Sequence, residues 1–331
     1  MYVKNENKNK VHLIIFTYKR AILLEEVLNF IFKNFENKAL PIHVIYHKDK
    51  AHVKSYDLLK KKWKKKGVIF YERKKINYFT LPLLTILRPL NLLWLVRWPD
   101  IFKNFNNFKF LLEGILSNIK SEFISFVPDD QIFYKKTIIP DEVFKIIKKD
   151  KINYFYRFFT GDHFKDIHKI PKLMKVNYYN HNKNRFFEWS HKDYYAKKSP
   201  LWNYRFTIEG TVFSKEALIS LLKPILYHNP ITLEGICLWE SRFRNFFQNG
   251  LSSKTRTAAG YQINNVQNLV VNQCRFYNSE LLMKAYLNGY RIIINKKYFD
   301  DKLLHVLPDD LFLKNIGNNK IVNYNSLIKN L

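Results

Sequence analysis

Short apolar runs alternate with segments of helical periodicity through the first part of the chain, and this alternation most constrains the fold. Four of the runs have the length and composition of buried strands: 11–16 (VHLIIF), 42–46 (IHVIY), 66–72 (KGVIFYE) and 121–127 (SEFISFV). Between them apolar residues recur at helical spacing, as at Leu24, Val27, Leu28 and Ile31. The sequence therefore predicts an α/β fold, an open, mostly parallel sheet with helices on both faces.

The second half of the chain is less regular. Residues 151–206 are dense in aromatic residues and show no clear period. Helical spacing returns in the segments 214–222 and 231–247, and the run YRIIIN at 290–295 is typical of a strand. No internal repeat or low-complexity linker separates the two halves, so we expect one continuous domain.

The balance of charge favours an anionic partner. The 331 residues include 56 Lys and Arg against 28 Asp and Glu, a net charge of +28. Nucleic acid, an anionic membrane surface and phosphorylated substrates all fit such a balance. Two cysteines exclude a disulfide framework, and a hydrophobic content of 47% excludes a largely disordered chain. The N-terminal residues lack the apolar core of a secretory signal, so we expect a cytoplasmic protein.

One Leu-rich segment, residues 79–96, resembles a membrane span in length. Arg88 and three further interruptions, Pro82, Pro89 and Asn91, make a spanning helix unfavourable. Two interpretations stay open at this stage. The segment is either an ordinary piece of the core or, with Arg97 and Trp98 at its end, an anchor lying in the membrane interface.

Two adjacent carboxylates, Asp129 and Asp130, follow the fourth predicted strand in the run FVPDDQIF. Their mutual repulsion must be offset by a cation or by hydrogen-bond donors. Ligands of open parallel sheets bind beyond the carboxyl ends of the strands, where the loop TYKR after the first strand also lies. The pair is either a simple turn or a site for a divalent cation that faces a basic loop.

The order of four features resembles the nucleotide-sugar glycosyltransferases of the GT-A fold, and family two among them. The four are the segments LIIFTYKR, IHVIY, FKFLLEGILSNIKS and EFISFVPDDQIF, and the last of these matches the acidic metal-binding motif of that family. The resemblance covers residues 11–135 and implies that they form a Rossmann-like half that binds the nucleotide sugar. Residues 136–331 would form the acceptor-binding half, with C-terminal helices and an irregular, aromatic-rich region.

The resemblance also implies residue roles. Asp129 and Asp130 would hold Mg²⁺ or Mn²⁺ against the diphosphate, and His305 is similar in position to a late metal-binding histidine of the family. Thr17, Tyr18 and Arg20 would contact the nucleotide.

A second set of roles concerns the acceptor side. The segment TLEGICLWESRF resembles the acidic helix start near the acceptor, which makes Glu234 the predicted general base, with Glu209 and Glu240 as competitors. Basic side chains in the segment KTR, Lys254 and Arg256, would close over the diphosphate.

The predicted activity is therefore sugar transfer from a nucleotide-diphosphate donor to a saccharide or lipid-linked saccharide, in bacterial surface-glycan synthesis. Such an enzyme would be cytoplasmic and peripheral on the inner face of the membrane. The main alternative is a basic nucleic-acid-binding protein without enzymatic activity, but no known nucleic-acid-binding motif appears, so no nucleic acid is expected as partner. A nucleotidyltransferase is disfavoured because FTYKRAILLEE has no glycine.

Overall fold

The computed structural model describes residues 11–36, 40–74, 106–162, 170–181, 184–264, 277–299 and 305–328. The Leu-rich segment at 79–98 lies outside these ranges. The strands are β1 (Val11–Tyr18), β2 (Ile42–His47), β3 (Ile69–Glu72), β4 (Phe123–Pro128), β5 (Gln131–Phe133), β6 (Tyr154–Arg157), β7 (Val176–His181), β8 (Asn184–Ser190), β9 (Thr211–Ser214), β10 (Asn249–Ser253), β11 (Ala258–Tyr261), β12 (Tyr290–Ile293), β13 (His305–Val306), β14 (Phe312–Asn315) and β15 (Ile321–Asn323).

Helices lie between these strands along the chain. They are α1 (Ala21–Asn34), α2 (Val53–Lys64), α3 (Phe108–Asn118), α4 (Asp141–Lys149), α5 (Tyr194–Lys198), α6 (Lys215–Leu222), α7 (Pro230–Phe243), α8 (Ser279–Leu287) and α9 (Tyr324–Ile328). A short 3-10 helix follows β12 at Lys296–Tyr298.

A nine-stranded sheet in the order β3-β2-β1-β4-β9-β6-β10-β8-β7 forms the centre of the molecule. Strands β3, β2, β1 and β4 are parallel, β9 is antiparallel to both of its neighbours, and β6 and β10 are again parallel. The hairpin of β7 and β8 completes the sheet, with β8 antiparallel to β10. Within this sheet β8 and β9 therefore run opposite to the other seven strands. The predicted fold class, an open and mostly parallel sheet, is confirmed.

Helices cover both faces of the sheet because its strands bury side chains on both sides. In β4, Phe123 and Val127 join one hydrophobic core while Ile124 and Phe126 join the other. Helices α1, α2, α4 and α8 pack in the first core, and α3, α6 and α7 pack in the second. Buried runs such as VHLIIF have no polar alternation for this reason.

The aromatic-rich region 151–206 also contributes strands, although its sequence shows no period. Strands β6, β7 and β8 come from it, and aromatic rings of β6 and β8 pack with each other in the second core. The indole of Trp189 lies 5.0 Å from that of Trp202 and 5.8 Å from the ring of Phe155. Gly250 faces Trp189 across the β8–β10 pair, where any side chain would collide with the indole. Aromatic packing, rather than alternation, defines these strands.

The sheet crosses the predicted boundary at residue 135, because β4 pairs with β9. The division into a nucleotide-sugar half and an acceptor half stays a prediction. Among the residues that the structure describes, none of the helices is both long and apolar enough to cross a membrane.

A buried ionic cluster ties the C-terminal segment to the first helices. The carboxylate of Glu25 on α1 is 1% exposed and lies 3.1 Å from Nε of Arg291 on β12. It also pairs with Lys62 of α2 and accepts a hydrogen bond from the hydroxyl of Tyr286 on α8. Four elements therefore converge on one carboxylate, whose desolvation is offset only while these donors are present.

We predict that Glu25→Ala destabilises the fold by about 3 kcal/mol or more, because it leaves the nearly buried guanidinium of Arg291 and the buried hydroxyl of Tyr286 without their acidic partner. The matched control is Glu36→Ala, which removes a half-exposed carboxylate that lies 2.6 Å from Nζ of Lys136. An exposed pair contributes about 0–1 kcal/mol. Urea denaturation measures both changes, and equal losses in the two variants would contradict the prediction.

Candidate active site

An arginine from the first strand's loop holds both carboxylates of the acidic turn. Nη2 of Arg20 lies 2.7 Å from Oδ1 of Asp129, and Nη1 lies 3.1 Å from Oδ2 of Asp130. Strands β1 and β4 are adjacent and parallel, so the loops that follow them meet at the same edge of the sheet. Lys19, with a φ of 57°, turns the chain between β1 and α1 and pairs with Asp49 at 2.8 Å.

The two aspartates have different surroundings. Asp129 is 1% exposed and accepts a 3.4 Å hydrogen bond from the backbone N–H of Tyr18. Burial raises the pKa of Asp129 to about 6, while Arg20 opposes the rise and the charge of Asp130 adds to it. The side chain of Asp130 is 19% exposed. Asp129 therefore connects the turn after β4 to the end of β1 and the loop that follows it, through its contacts with Tyr18 and Arg20. Asp130 is the carboxylate that a ligand can reach.

His305 and Arg256 lie near the acidic turn. His305 is on β13 of the smaller sheet of β13, β11 and β5, and Arg256 is in the segment that leads into β11. His305 pairs with Gly260 on β11, and its Nδ1 is buried without a hydrogen-bond partner among the described residues. Burial lowers the pKa of His305, against the opposing charge of nearby Asp130. Arg256 is fully buried, and its Nε donates a 3.0 Å hydrogen bond to the hydroxyl of Tyr134.

These residues fit a divalent cation only together with a ligand. Within the described ranges no three His, Cys, Asp or Glu side chains converge closely enough to hold a metal by themselves. Arg20 already occupies one oxygen of each aspartate. The partly exposed carboxylate of Asp130 remains as a donor, whereas Nδ1 of His305 lies buried against Gly260. Mg²⁺ and Mn²⁺ commonly combine one or two protein ligands with substrate phosphates and water.

Two glutamates with raised pKa values lie beyond the acidic turn. Glu209 precedes β9, and burial, with a smaller contribution from the charge of Asp130, raises its pKa to about 7. Glu234 lies in the first turns of α7, a helix capped by the side chain of Asn229. Its Oε1 accepts a 3.2 Å hydrogen bond from the N–H of Ile208, one residue before Glu209. Burial first, and Glu209 second, raise the pKa of Glu234 to about 7.

A buried arginine that the sequence did not single out lies behind these glutamates. Arg157, at the end of β6, is fully buried and donates a 3.1 Å hydrogen bond from Nη1 to the carbonyl of Leu201. Its guanidinium packs 4.9 Å from the ring of Phe155 and 5.5 Å from that of Trp189. Burial lowers its pKa to about 9, while the charges of Glu209 and Glu234 oppose that change.

The remaining predicted residues fall into two groups. Thr17 is buried, with its hydroxyl 2.9 Å from that of Tyr56, whereas the half-buried ring of Tyr18 stacks on His47 at 5.2 Å. Both therefore lie beside Arg20. Lys254 lies further along the sheet and pairs with Asp162 at 3.8 Å.

Glu240 lies on the buried side of α7, near Cys237. The first turns of the same helix carry Glu234, which is only partly buried. Glu234 and Glu209, rather than Glu240, adjoin the acidic turn.

No family model matches the chain, and no curated protein matches it. Among solved structures it is similar to S. aureus TarS, over 74% of this chain and 34% of that one, at 11% identity and a TM-score of 0.37. It is similar to S. aureus TarS 1-349 over 74% of this chain and 57% of that one, at 14% identity and a TM-score of 0.39. It is also similar to S. aureus TarS 1-349 in complex with UDP-GlcNAc, over 65% of this chain and 46% of that one, at 15% identity and a TM-score of 0.33. The chain spans between a third and just over half of the TarS chains that it matches, and likeness at these TM-scores assigns no activity.

We predict that Glu234→Gln stabilises the protein and that the gain grows with pH. The folded-state pKa of Glu234, about 7, lies above its ordinary value of about 4.3. The wild type therefore loses stability as the pH rises from about 4 through 7, and the Gln variant, which can still accept from Ile208, does not. We expect the difference to be about 2 kcal/mol larger at pH 8 than at pH 5.

Thermal unfolding over this pH range measures the effect. The control is Glu216→Gln, which removes a carboxylate that is 69% exposed and should show no such trend. A pH-independent difference between Glu234→Gln and the wild type would refute a raised pKa at Glu234.

Proposed function

We propose that the protein is a glycosyltransferase that moves a sugar from a nucleotide-diphosphate donor to a saccharide or lipid-linked saccharide acceptor. The observation that carries the proposal is the cluster of Arg20, Asp129 and Asp130 at the carboxyl edge of the sheet, with two titratable glutamates beside it. A fixed cation, a reachable carboxylate and a base of near-neutral pKa are the groups that sugar transfer requires.

The donor would lie over the ends of β1 and β2. The stacked rings of Tyr18 and His47 offer a flat surface for the base, and Arg20 lies on the side where the diphosphate would follow. Arg256, near His305, adds a second buried positive charge. Mg²⁺ or Mn²⁺ bound by Asp130 and His305 would supply Lewis-acid stabilisation of the leaving diphosphate.

The acceptor hydroxyl would lie on the side of Glu234. In a transfer with inversion, the acceptor oxygen forms a bond to the anomeric carbon as the bond from that carbon to the diphosphate breaks. The hydroxyl proton passes to the carboxylate of Glu234, which must be ionised beforehand. A pKa of about 7 makes Glu234 ionised above neutral pH and a strong enough base to accept the proton. Glu209 is the competing base because it shares the same surroundings.

The proposal extends to bacterial surface-glycan synthesis on the inner face of the membrane. A lipid-linked acceptor would require the enzyme to work at that surface, and a net charge of +28 favours an anionic leaflet and anionic donors.

A thermal-shift screen of nucleotide sugars with Mn²⁺ tests the donor site. The correct donor should raise the melting temperature, because it binds the folded state alone. The shift should shrink when Mn²⁺ is replaced by EDTA. No shift with any nucleotide sugar, together with binding of RNA, would favour the nucleic-acid-binding alternative.

We predict that Asp130→Asn lowers turnover by about 100-fold, equivalent to about 3 kcal/mol in the barrier, and leaves the fold intact. The substitution keeps size and hydrogen bonding but removes the reachable charge beside the diphosphate. Asp57→Asn, which changes a carboxylate that is 54% exposed on α2, is the matched control and should keep full activity. Release of nucleoside diphosphate from the donor found in the screen measures turnover. Full activity in Asp130→Asn would contradict a role in donor binding and would favour the alternative that the acidic pair only forms a turn.

A further inference from the structure

The outer surface of α2 concentrates exposed lysines. Residues 53–66 read VKSYDLLKKKWKKK, with seven lysines and one aspartate. Lys54, Leu58, Lys61 and Lys65 follow one another at i, i+4, i+7 and i+11, so they form one stripe about 16 Å long. All four are exposed, and Lys64 flanks them. We call these five residues the lysine face.

The opposite side of the helix accounts for its orientation. Tyr56, Leu59 and Trp63 are fully buried against the first core, which turns the lysine face outward. Within the described part of the chain, the ion pairs of α2 use other side chains: Asp57 pairs with Lys60 at 2.7 Å, and Glu25 pairs with Lys62. The charges of the lysine face are therefore not neutralised by the carboxylates of these pairs.

An apolar side chain lies exposed within this basic surface. Leu58 is 41% exposed in the middle of the stripe. Both aromatic residues of α2, Tyr56 and Trp63, are buried, so α2 itself offers no ring for stacking on bases. Lysines around an exposed aliphatic residue match an anionic lipid interface better than a single-stranded nucleic acid.

The inner side of the same helix touches the candidate active site. The hydroxyl of Tyr56 lies 2.9 Å from that of Thr17, near the end of β1 and three residues before Arg20. A surface that binds α2 from outside would therefore lie close to the edge of the sheet where the acidic turn is exposed.

We propose that the lysine face binds the headgroups of an anionic phospholipid membrane, with Leu58 entering the interfacial region. This inference deepens the proposed location at the membrane by naming the surface that binds it. It does not rest on the catalytic role, since membrane attraction needs no catalytic activity. Each lysine adds to the attraction within a Debye length of the surface, and the aliphatic side chain adds a contribution that salt does not screen.

Sedimentation with vesicles tests the proposal on the full chain. The wild type should bind phosphatidylcholine vesicles that contain phosphatidylserine and should not bind vesicles of phosphatidylcholine alone. The triple variant Lys61→Gln, Lys64→Gln, Lys65→Gln keeps helix-forming residues and should bind about 100-fold more weakly. Leu58→Ser should weaken the part of the binding that persists at high salt.

A matched control separates a dedicated surface from general charge. Lys145→Gln, Lys149→Gln, Lys151→Gln removes the same charge at and just after α4, and should change binding by about twofold or less. Equal losses in the two triple variants, or no binding by the wild type, would overturn the proposal. Loss of binding to a single-stranded RNA oligonucleotide, with vesicle binding unchanged, would assign the face to nucleic acid instead.

The donor thermal shift separates this proposal from the proposed function. The lysine-face triple variant should keep the full thermal shift with the nucleotide sugar, since none of its three positions contacts Arg20, Asp129 or Asp130 in the described structure. If the wild type binds vesicles but shows no thermal shift with any nucleotide sugar, the membrane proposal is supported and the proposed glycosyltransferase activity is contradicted.

Discussion

The ion cluster of Arg20 with Asp129 and Asp130 determines the geometry of the candidate site. A buried carboxylate next to a second one is unfavourable, and the guanidinium reduces that cost by bonding to both. The same contact fixes the loop after β1 against the turn after β4, so two neighbouring parallel strands end in a defined arrangement. Since one cation faces two anions, the cluster has a net negative charge when both are ionised, and that charge is available at Asp130.

Four carboxylates in or near the acidic turn have different surroundings, and this difference suits them to different roles. They are Asp129, Asp130, Glu209 and Glu234. Asp129 is buried against Arg20, whereas Asp130 is partly exposed and can face a ligand. Burial raises the pKa values of Glu209 and Glu234 to about 7. A neighbouring carboxylate adds to the rise, Asp130 for Glu209 and Glu209 for Glu234, and together they outweigh the opposing charge of Arg157. Groups whose environments separate their protonation behaviour are suited to separate chemical roles, here the holding of a charged ligand and the acceptance of a proton.

The sequence predicted the sheet and the acidic turn well because both depend on local signals. Unbroken apolar runs specify buried parallel strands, and adjacent strands bring Arg20 to Asp130. The rest depends on contacts between distant residues. Arg157 resembles any other basic residue in sequence, and only the pairing of β6 with β9 shows that it lies behind Glu209. Region 151–206 forms strands through aromatic packing and therefore shows no period in the sequence. The ion pair of Lys254 with Asp162 likewise joins residues that lie far apart in the sequence.

The two kinds of cation are used in different places, and their chemistry explains the difference. Arg20, Arg157 and Arg256 are the buried or nearly buried cations near the site, whereas the outer face of α2 carries lysines. A guanidinium is weakly hydrated, stays charged on burial and can bond two carboxylates or pack on aromatic rings. An ammonium group holds its water more strongly, so it is favourable on a solvated surface that attracts anions without fixed geometry. A chain of net charge +28 can therefore place an acidic edge in its interior, because arginine offsets the buried carboxylates while lysine keeps the exterior positive.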